Sequence, residues 1–228
     1  MNLIIAFVLA ALAPGAVSAS PGRCPDVVTA EAFICRAIDA QRLQKPADAA
    51  AAFEQAAEQT APEDGGQARL YAAAGNMWIA ADQPGKAALA LDRALALPGL
   101  VAEQRGEALL DRARAAEAQG DLKTARARLN EAASSIAEDP FYWYFSAALA
   151  IREENKIGAQ AAITRALVLA PADPTILFEA GHVAHFTGDI VGARDYWTRA
   201  VERDPRGPIG AAAKEALRLL PAPLTVKN

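Results

Sequence analysis

The stretch that decides the fold is Pro174–Pro205, which reads PTILFEAGHVAHFTGDIVGARDYWTRAVERDP. It opens with Pro-Thr, typical of a helix start, and small or apolar residues then recur on one helical face. These residues are Leu177, Ala180, Gly181 and Ala184. Gly188 and Asp189 interrupt the pattern, because Gly favours the left-handed end of one helix and Asp can cap the next. A second helix follows, with Ala193, Trp197 and Ala200 on its apolar face. The stretch therefore predicts a pair of helices.

The same pattern recurs along most of the chain. When these apolar and small positions are shifted toward the N-terminus by the length of one helix pair, they again fall on small or apolar residues, and the same is true of each further shift. The five series start at Leu177, Trp143, Leu109, Tyr71 and Phe33. Counted from the C-terminal series, the first two intervals between starting residues are equal in length, and the last two intervals are each longer by about one helical turn. Five helix pairs therefore account for roughly residues 30–206, and the alternative is a helical bundle with chance spacing.

A helix-turn-helix unit of about 34 residues, with small and aromatic residues at these positions, resembles the tetratricopeptide repeat (TPR). The resemblance is most complete in the fifth unit, whereas Arg36 and Arg112 stand in the first and third units where an apolar residue is usual. It implies an all-α fold, a right-handed α-solenoid of about five units with an end cap. We expect the following segments: units near 30–67, 68–105, 106–139, 140–173 and 174–207, a capping helix over 208–220, and a tail over 221–228.

The composition excludes several classes of protein. Of the 228 residues, 53% are hydrophobic and 22% charged, so the chain is too apolar to be intrinsically disordered. Its net charge of −4 does not suit a general nucleic-acid binder, which needs a basic face. The sequence has no phosphate-binding glycine loop and no nucleophile elbow. We therefore expect neither a cofactor nor an enzyme.

The N-terminal residues 1–19 are predicted to be a signal peptide. They carry no charge, their apolar core is too short to span a bilayer, and small residues precede Ser20. Cleavage is expected between Ala19 and Ser20, although the usual basic residue before the core is missing. A buried N-terminal helix is the alternative. Arg23 does not fit the motif for lipid attachment at Cys24, and no later stretch is apolar over the length of a membrane span. We therefore expect an exported, periplasmic or secreted protein that is not lipidated and has no membrane span after removal of the signal peptide.

Export changes the interpretation of the two cysteines. Cys24 and Cys35 lie close together in sequence, in the predicted N-terminal segment 20–29 and in the first helix. In an oxidising compartment two lone cysteines favour a disulfide, which here would fasten the N-terminal segment to that helix. Two reduced, buried cysteines are the alternative.

Two histidines are the main candidates for chemistry. His182 and His185 lie one helical turn apart on one helical face, so both could contact one metal ion. A zinc site needs further ligands, and neither cysteine is near them in a linear stack. We therefore predict no metal site, and a metal-dependent enzyme using His182 and His185 is the less favoured alternative.

The TPR resemblance implies that the first helices of the units line a groove that holds extended peptides. Aromatic residues together with Arg are typical of binding hot spots. The predicted contact residues are Tyr144, Arg152, Phe178, His182, His185 and Phe186. The alternative is that the aromatic residues pack inward or are covered by the C-terminal helix. The functional hypothesis is a periplasmic interaction scaffold or adapter for a protein or peptide partner; a structural subunit of an envelope assembly is the second possibility.

Overall fold

A computed structural model describes residues 24–61 and 65–221, and helices make up 78% of them. No strand occurs in these two ranges. The predicted all-α helical-repeat class is therefore confirmed. The predicted signal peptide, its cleavage site and almost all of the predicted tail lie outside the described residues.

Eleven helices follow one another along the described part of the chain. They are α1 (Ala30–Arg42), α2 (Pro46–Glu58), α3 (Gly66–Ala80), α4 (Pro84–Ala96), α5 (Ala102–Ala118), α6 (Leu122–Ile136), α7 (Pro140–Arg152), α8 (Lys156–Leu169), α9 (Pro174–Thr187), α10 (Ile190–Arg203) and α11 (Pro208–Leu219). Neighbouring helices pack in pairs, for example α1 on α2 and α9 on α10, and α11 packs on α10 and α9. The residue limits of the five units stay a prediction, because the helices do not mark where one unit passes into the next.

Capping residues fix where several helices begin. The side chains of Asp139, Asn155, Asp173 and Asp189 each accept a hydrogen bond from a backbone N–H in the first turn of the helix that follows. Proline occupies the start of α2, α4, α7, α9 and α11, where its missing N–H breaks no intrahelical bond. These local signals explain why the apolar periodicity restarts where the sequence predicts new helices.

The turn after the first helix of each pair contains one residue with positive φ. These residues are Gln44 (57°), Asp82 (55°), Gly120 (80°), Glu154 (57°) and Gly188 (97°). Along the chain they are separated by the same offsets that relate the apolar series. The left-handed conformation costs a non-glycine residue about 1–2 kcal/mol. The packing of the pairs therefore imposes this turn even where the sequence offers no glycine.

We expect Glu154→Gly to raise the free energy of unfolding by about 1 kcal/mol and Gly188→Ala to lower it by about as much. A Cβ at Gly188 would have no neighbouring atom within 4 Å, so this substitution tests backbone conformation without a packing change. Urea denaturation followed by circular dichroism measures both effects. Equal stabilities for the two variants would show that these turns hold no conformational strain.

The chain forms two compact units, one ending at Gln119 and the other beginning at Gly120. In the first, the buried core draws on α1 to α5 and includes Phe53 and Leu91. In the second, one cluster forms around Ile163 and Ile176, and another around Trp197. The helices α5 and α6 belong to different units, although the sequence repeat assigns both to the third predicted pair.

Glycine permits close helix approach at two corresponding places. A Cβ at Gly75 would clash with the Leu91 side chain, and a Cβ at Gly181 would clash with the indole ring of Trp197. A large side chain from the second helix of the pair therefore fills the space that only glycine leaves. This explains why small and large residues occupy fixed positions within the repeat.

The two arginines that depart from the repeat pattern both have polar partners. Nε of Arg112 donates to Oδ1 of Asp92 at 2.8 Å, and the Arg112 side chain is only 14% exposed. Arg36 donates to the backbone carbonyls of Pro25, at 3.1 Å, and of Val27. The aliphatic stem of an arginine can cover apolar surface while its guanidinium group keeps these polar partners. Both helices can therefore carry an arginine where the repeat usually has an apolar residue.

A disulfide joins Cys24 to Cys35, with 5.7 Å between the two Cα atoms. Cys35 lies in the second turn of α1, and Cys24 precedes the helix. The bond and the two hydrogen bonds of Arg36 hold the same short segment against α1. The N-terminal end of the described chain is thereby fastened to the first helix.

Candidate functional site

An open groove of about 590 Å³ lies between α7 and α9 in the second compact unit. Its lining residues are Ala148, Ile151, Arg152, Glu179, His182, His185 and Phe186. Apart from Glu179, these residues are related in pairs by the repeat, since one member of each pair lies on α7 and the other at the equivalent position of α9. The pairs are Ala148 and His182, Ile151 and His185, and Arg152 and Phe186. The groove is thus lined by the same face of two successive first helices, α7 and α9.

Local interactions hold α7 in place beside the groove. Arg126 of α6 donates from Nη2 to Glu153 at 2.6 Å and from Nη1 to the hydroxyl of Ser146 at 3.1 Å. Burial raises the pKa of the Tyr142 hydroxyl on the same helix, and the positive charge of Arg126 offsets part of that rise. These contacts place the first face of the groove independently of any partner.

Aromatic contacts hold the second face. The ring of Phe178 lies edge-on to His182, with ring centres 4.4 Å apart. Trp197 of α10 lies behind both histidines, at 5.5 Å from His182 and 6.0 Å from His185. Its indole N–H donates to the backbone carbonyl of Phe178 at 3.0 Å. One buried tryptophan therefore orients the histidines of the groove.

Glu179 is the buried charge of the groove, only 6% exposed. Its Oε2 lies 3.5 Å from Nδ1 of His182. The equivalent residue one repeat earlier is Phe145, which is also buried. An acidic side chain here occupies a position that the repeat otherwise fills with an apolar one.

The opposite end of the groove is aromatic and cationic. The Phe186 ring is partly buried and packs against the cluster around Ile163. Nζ of Lys156, at the start of α8, lies 5.6 Å from the centre of that ring. Arg152 is exposed at the C-terminal end of α7. The groove therefore combines an apolar wall, an aromatic face, the exposed Arg152 and one buried carboxylate, and Lys156 lies beside the Phe186 ring.

The structure brings together four of the six predicted contact residues. Arg152, His182, His185 and Phe186 all line the groove. Tyr144 and Phe178 are partly buried and pack against the apolar clusters, which is the alternative raised for the aromatic residues. Glu179 was not among the predicted contact residues, although an acidic residue at the repeat position that Phe145 occupies one unit earlier was a signal that could have identified it.

The two histidines do not gather a metal-binding set. Among residues 24–61 and 65–221, no group of three or more His, Cys, Asp or Glu side chains is arranged to hold a metal ion. Nδ1 of His182 instead faces Glu179, and both imidazole rings contact Trp197. Their observed roles are packing and groove lining.

A second polar cluster lies in the first compact unit. Asp111 of α5, 8% exposed, accepts hydrogen bonds from Nδ2 of Asn76 at 2.8 Å and from Nη1 of Arg114 at 2.9 Å. These contacts satisfy both oxygens of the carboxylate and join α3 to α5. We therefore attribute the burial of Asp111 to helix packing.

The fold and the groove define a helical-repeat protein in which two successive first helices line an open groove. No protein-family model matches the chain, and no curated protein matches its sequence. Solved structures do match. PilW, a widely conserved type IV pilus biogenesis factor, is similar with a TM-score of 0.67 and 18% identity, over 81% of this chain and 82% of PilW.

Two further solved structures are similar at comparable levels. A thermophilic TPR protein of Thermus thermophilus gives a TM-score of 0.64 at 17% identity, over 83% of this chain and all of that one. YrrB, a TPR protein with an unusual peptide-binding site, gives 0.57 at 17% identity, over 82% and 92% of the two chains. These likenesses confirm that the chain has the TPR fold that its sequence resembles.

The helices also bear on the expectation about membranes. Within the part of the chain that the structure describes, none is both long enough and apolar enough to cross a bilayer. The longest, α5, has 17 residues and carries several charged side chains.

Proposed function

We propose that this protein is a non-catalytic interaction scaffold that binds an extended segment of a protein or peptide partner in the groove between α7 and α9. The observation that carries the proposal is the groove itself. Three repeat-related couples of side chains face it, and they include an aromatic ring and an arginine, residue types enriched in binding hot spots. Its volume of about 590 Å³ suits a few side chains rather than a whole domain.

The similar solved structures support an interaction role in general terms. PilW is a pilus biogenesis factor, and YrrB has a peptide-binding site. Fold alone does not fix function, so the proposal rests on the side chains of this groove.

We further propose that the scaffold acts in the periplasm, or outside the cell, after removal of residues 1–19. The uncharged apolar leader and the small residues before Ser20 support export. A disulfide between Cys24 and Cys35 suits an oxidising compartment.

The test identifies the partner from the groove and then measures the groove's contribution. A photoreactive phenylalanine analogue at position 186 is expected to crosslink the partner in living cells, and mass spectrometry then defines the bound segment. For that segment as a synthetic peptide, we expect Arg152→Ala combined with Phe186→Ala to weaken binding at least tenfold, since hot-spot truncations cost about 2 kcal/mol or more. Fluorescence anisotropy measures the affinity.

Val191 supplies the matched control. It is 82% exposed on α10 and does not line the groove. The same analogue at position 191 should not crosslink this partner, and Val191→Ala should leave the affinity unchanged. An unchanged affinity in the folded Arg152/Phe186 double variant would refute binding in this groove.

A further inference from the structure

Glu179 is difficult to explain as a packing residue. Its side chain is only 8% exposed, and its carboxylate oxygen Oε2 lies 3.5 Å from Nδ1 of His182. That distance is longer than a good N–H···O hydrogen bond. Burying a carboxylate is costly unless it is paired and hydrogen-bonded. Asp111 in the first unit, by contrast, has hydrogen bonds to both of its oxygens.

The repeat shows that the fold itself does not need an acid at this position. Phe145 stands at the corresponding place on α7 and is buried in the same way. Because Glu179 also lines the groove, its carboxylate can be reached by a bound molecule. Because this carboxylate is buried and poorly paired, a hydrogen-bond donor supplied by a molecule bound in the groove would stabilise it.

We propose that Glu179 is the counter-ion for a lysine or arginine side chain of the partner segment. This inference rests on the proposed binding of a peptide in the groove. The aliphatic stem of such a side chain would lie along Ile151 and the Phe186 ring, and its charged head would reach the carboxylate.

The positions of the charges favour a cation over an anion at the groove floor. Arg152 and Lys156 are exposed, where water and salt screen them. The Glu179 carboxylate is buried, where its field is stronger, and an anionic side chain beside it would be repelled. The attraction between the partner's cation and the Glu179 carboxylate is therefore stronger than the repulsion by the exposed Arg152 and Lys156.

A random dodecapeptide library displayed on phage, selected on the full-length purified protein, tests the inference. We expect the selected peptides to share one lysine or arginine beside apolar residues. Replacing that basic residue with norleucine, which keeps the stem and removes the charge, should weaken binding to the wild-type protein at least tenfold. Against Glu179→Gln, the charged and norleucine peptides should bind within about threefold of each other.

Controls separate the possible failures. Glu202→Gln, an exposed acid on α10 outside the groove lining, should bind the basic peptides as the wild type does. Groove-binding peptides without a required basic residue would overturn the inference and leave the proposed function standing. Failure to select any groove-binding peptide would overturn both. If Glu179→Gln does not fold, a norleucine peptide that binds the wild-type protein as tightly as the basic peptide still overturns the inference.

Discussion

Replacing Trp197 with alanine is expected to lower the free energy of unfolding of the second compact unit by about 4 kcal/mol. The indole is 4% exposed and belongs to the apolar cluster that joins α9, α10 and α11. It occupies the space above Gly181, and its N–H donates to the carbonyl of Phe178. Alanine would leave a cavity that the glycine cannot fill and would remove the backbone contact.

The neighbouring substitutions divide this effect into parts. Trp197→Phe removes the hydrogen bond and part of the ring, so a smaller loss is expected. Gly181→Ala would place a methyl group against the indole and cost about 1–3 kcal/mol through overpacking. In the double variant Gly181→Ala with Trp197→Phe, the smaller phenylalanine ring should relieve that clash. The loss in free energy of unfolding should then be smaller than the sum of the losses in the two single variants.

Urea denaturation followed by far-ultraviolet circular dichroism measures these stabilities. Val191→Ala, at an 82% exposed site on the same helix, is the control and should change the free energy of unfolding by less than about 0.5 kcal/mol. A loss below about 1 kcal/mol for Trp197→Ala would contradict the view that this residue anchors α9. Since Trp197 also contacts His182 and His185, its loss should weaken partner binding even in the folded fraction.

The repeat was predictable because packing constrains residue size at fixed intervals. Gly181 and Trp197 must occur together at one close approach, and the repeat offset carries the same division of sizes to other pairs. The turn residues Gln44 and Glu154 were not predictable in this way. They adopt left-handed backbone because the flanking helices pack, while their side chains give no sign of it.

The candidate site was predictable in part for the same reason. Helical periodicity places Arg152, His182 and Phe186 on one face, so the sequence could assign them to a groove. It could not decide how far Tyr144 and Phe178 turn toward the apolar clusters, because that depends on the fit between neighbouring helices.

The second large effect is expected at the N-terminus. Replacing both Cys24 and Cys35 with serine should lower the free energy of unfolding by about 3 kcal/mol, since a crosslink over a short loop restricts the unfolded chain. Adding a thiol reductant to the wild-type protein should reproduce the loss. The segment before α1 should not detach completely, because Arg36 still donates to the carbonyls of Pro25 and Val27.

The double serine variant is also the control for the reductant, which should not change its stability. Thiol titration of the unreduced, denatured protein purified from whole cells should detect no free thiol, and N-terminal sequencing should begin at Ser20. Two free thiols per chain would refute the disulfide in the cell. An N-terminus at Met1 with both thiols free would count against export as well, because the leader and the oxidising compartment are expected together. A processed N-terminus with free thiols would refute the disulfide alone, since neither the helix pairs nor the groove between α7 and α9 depends on that bond.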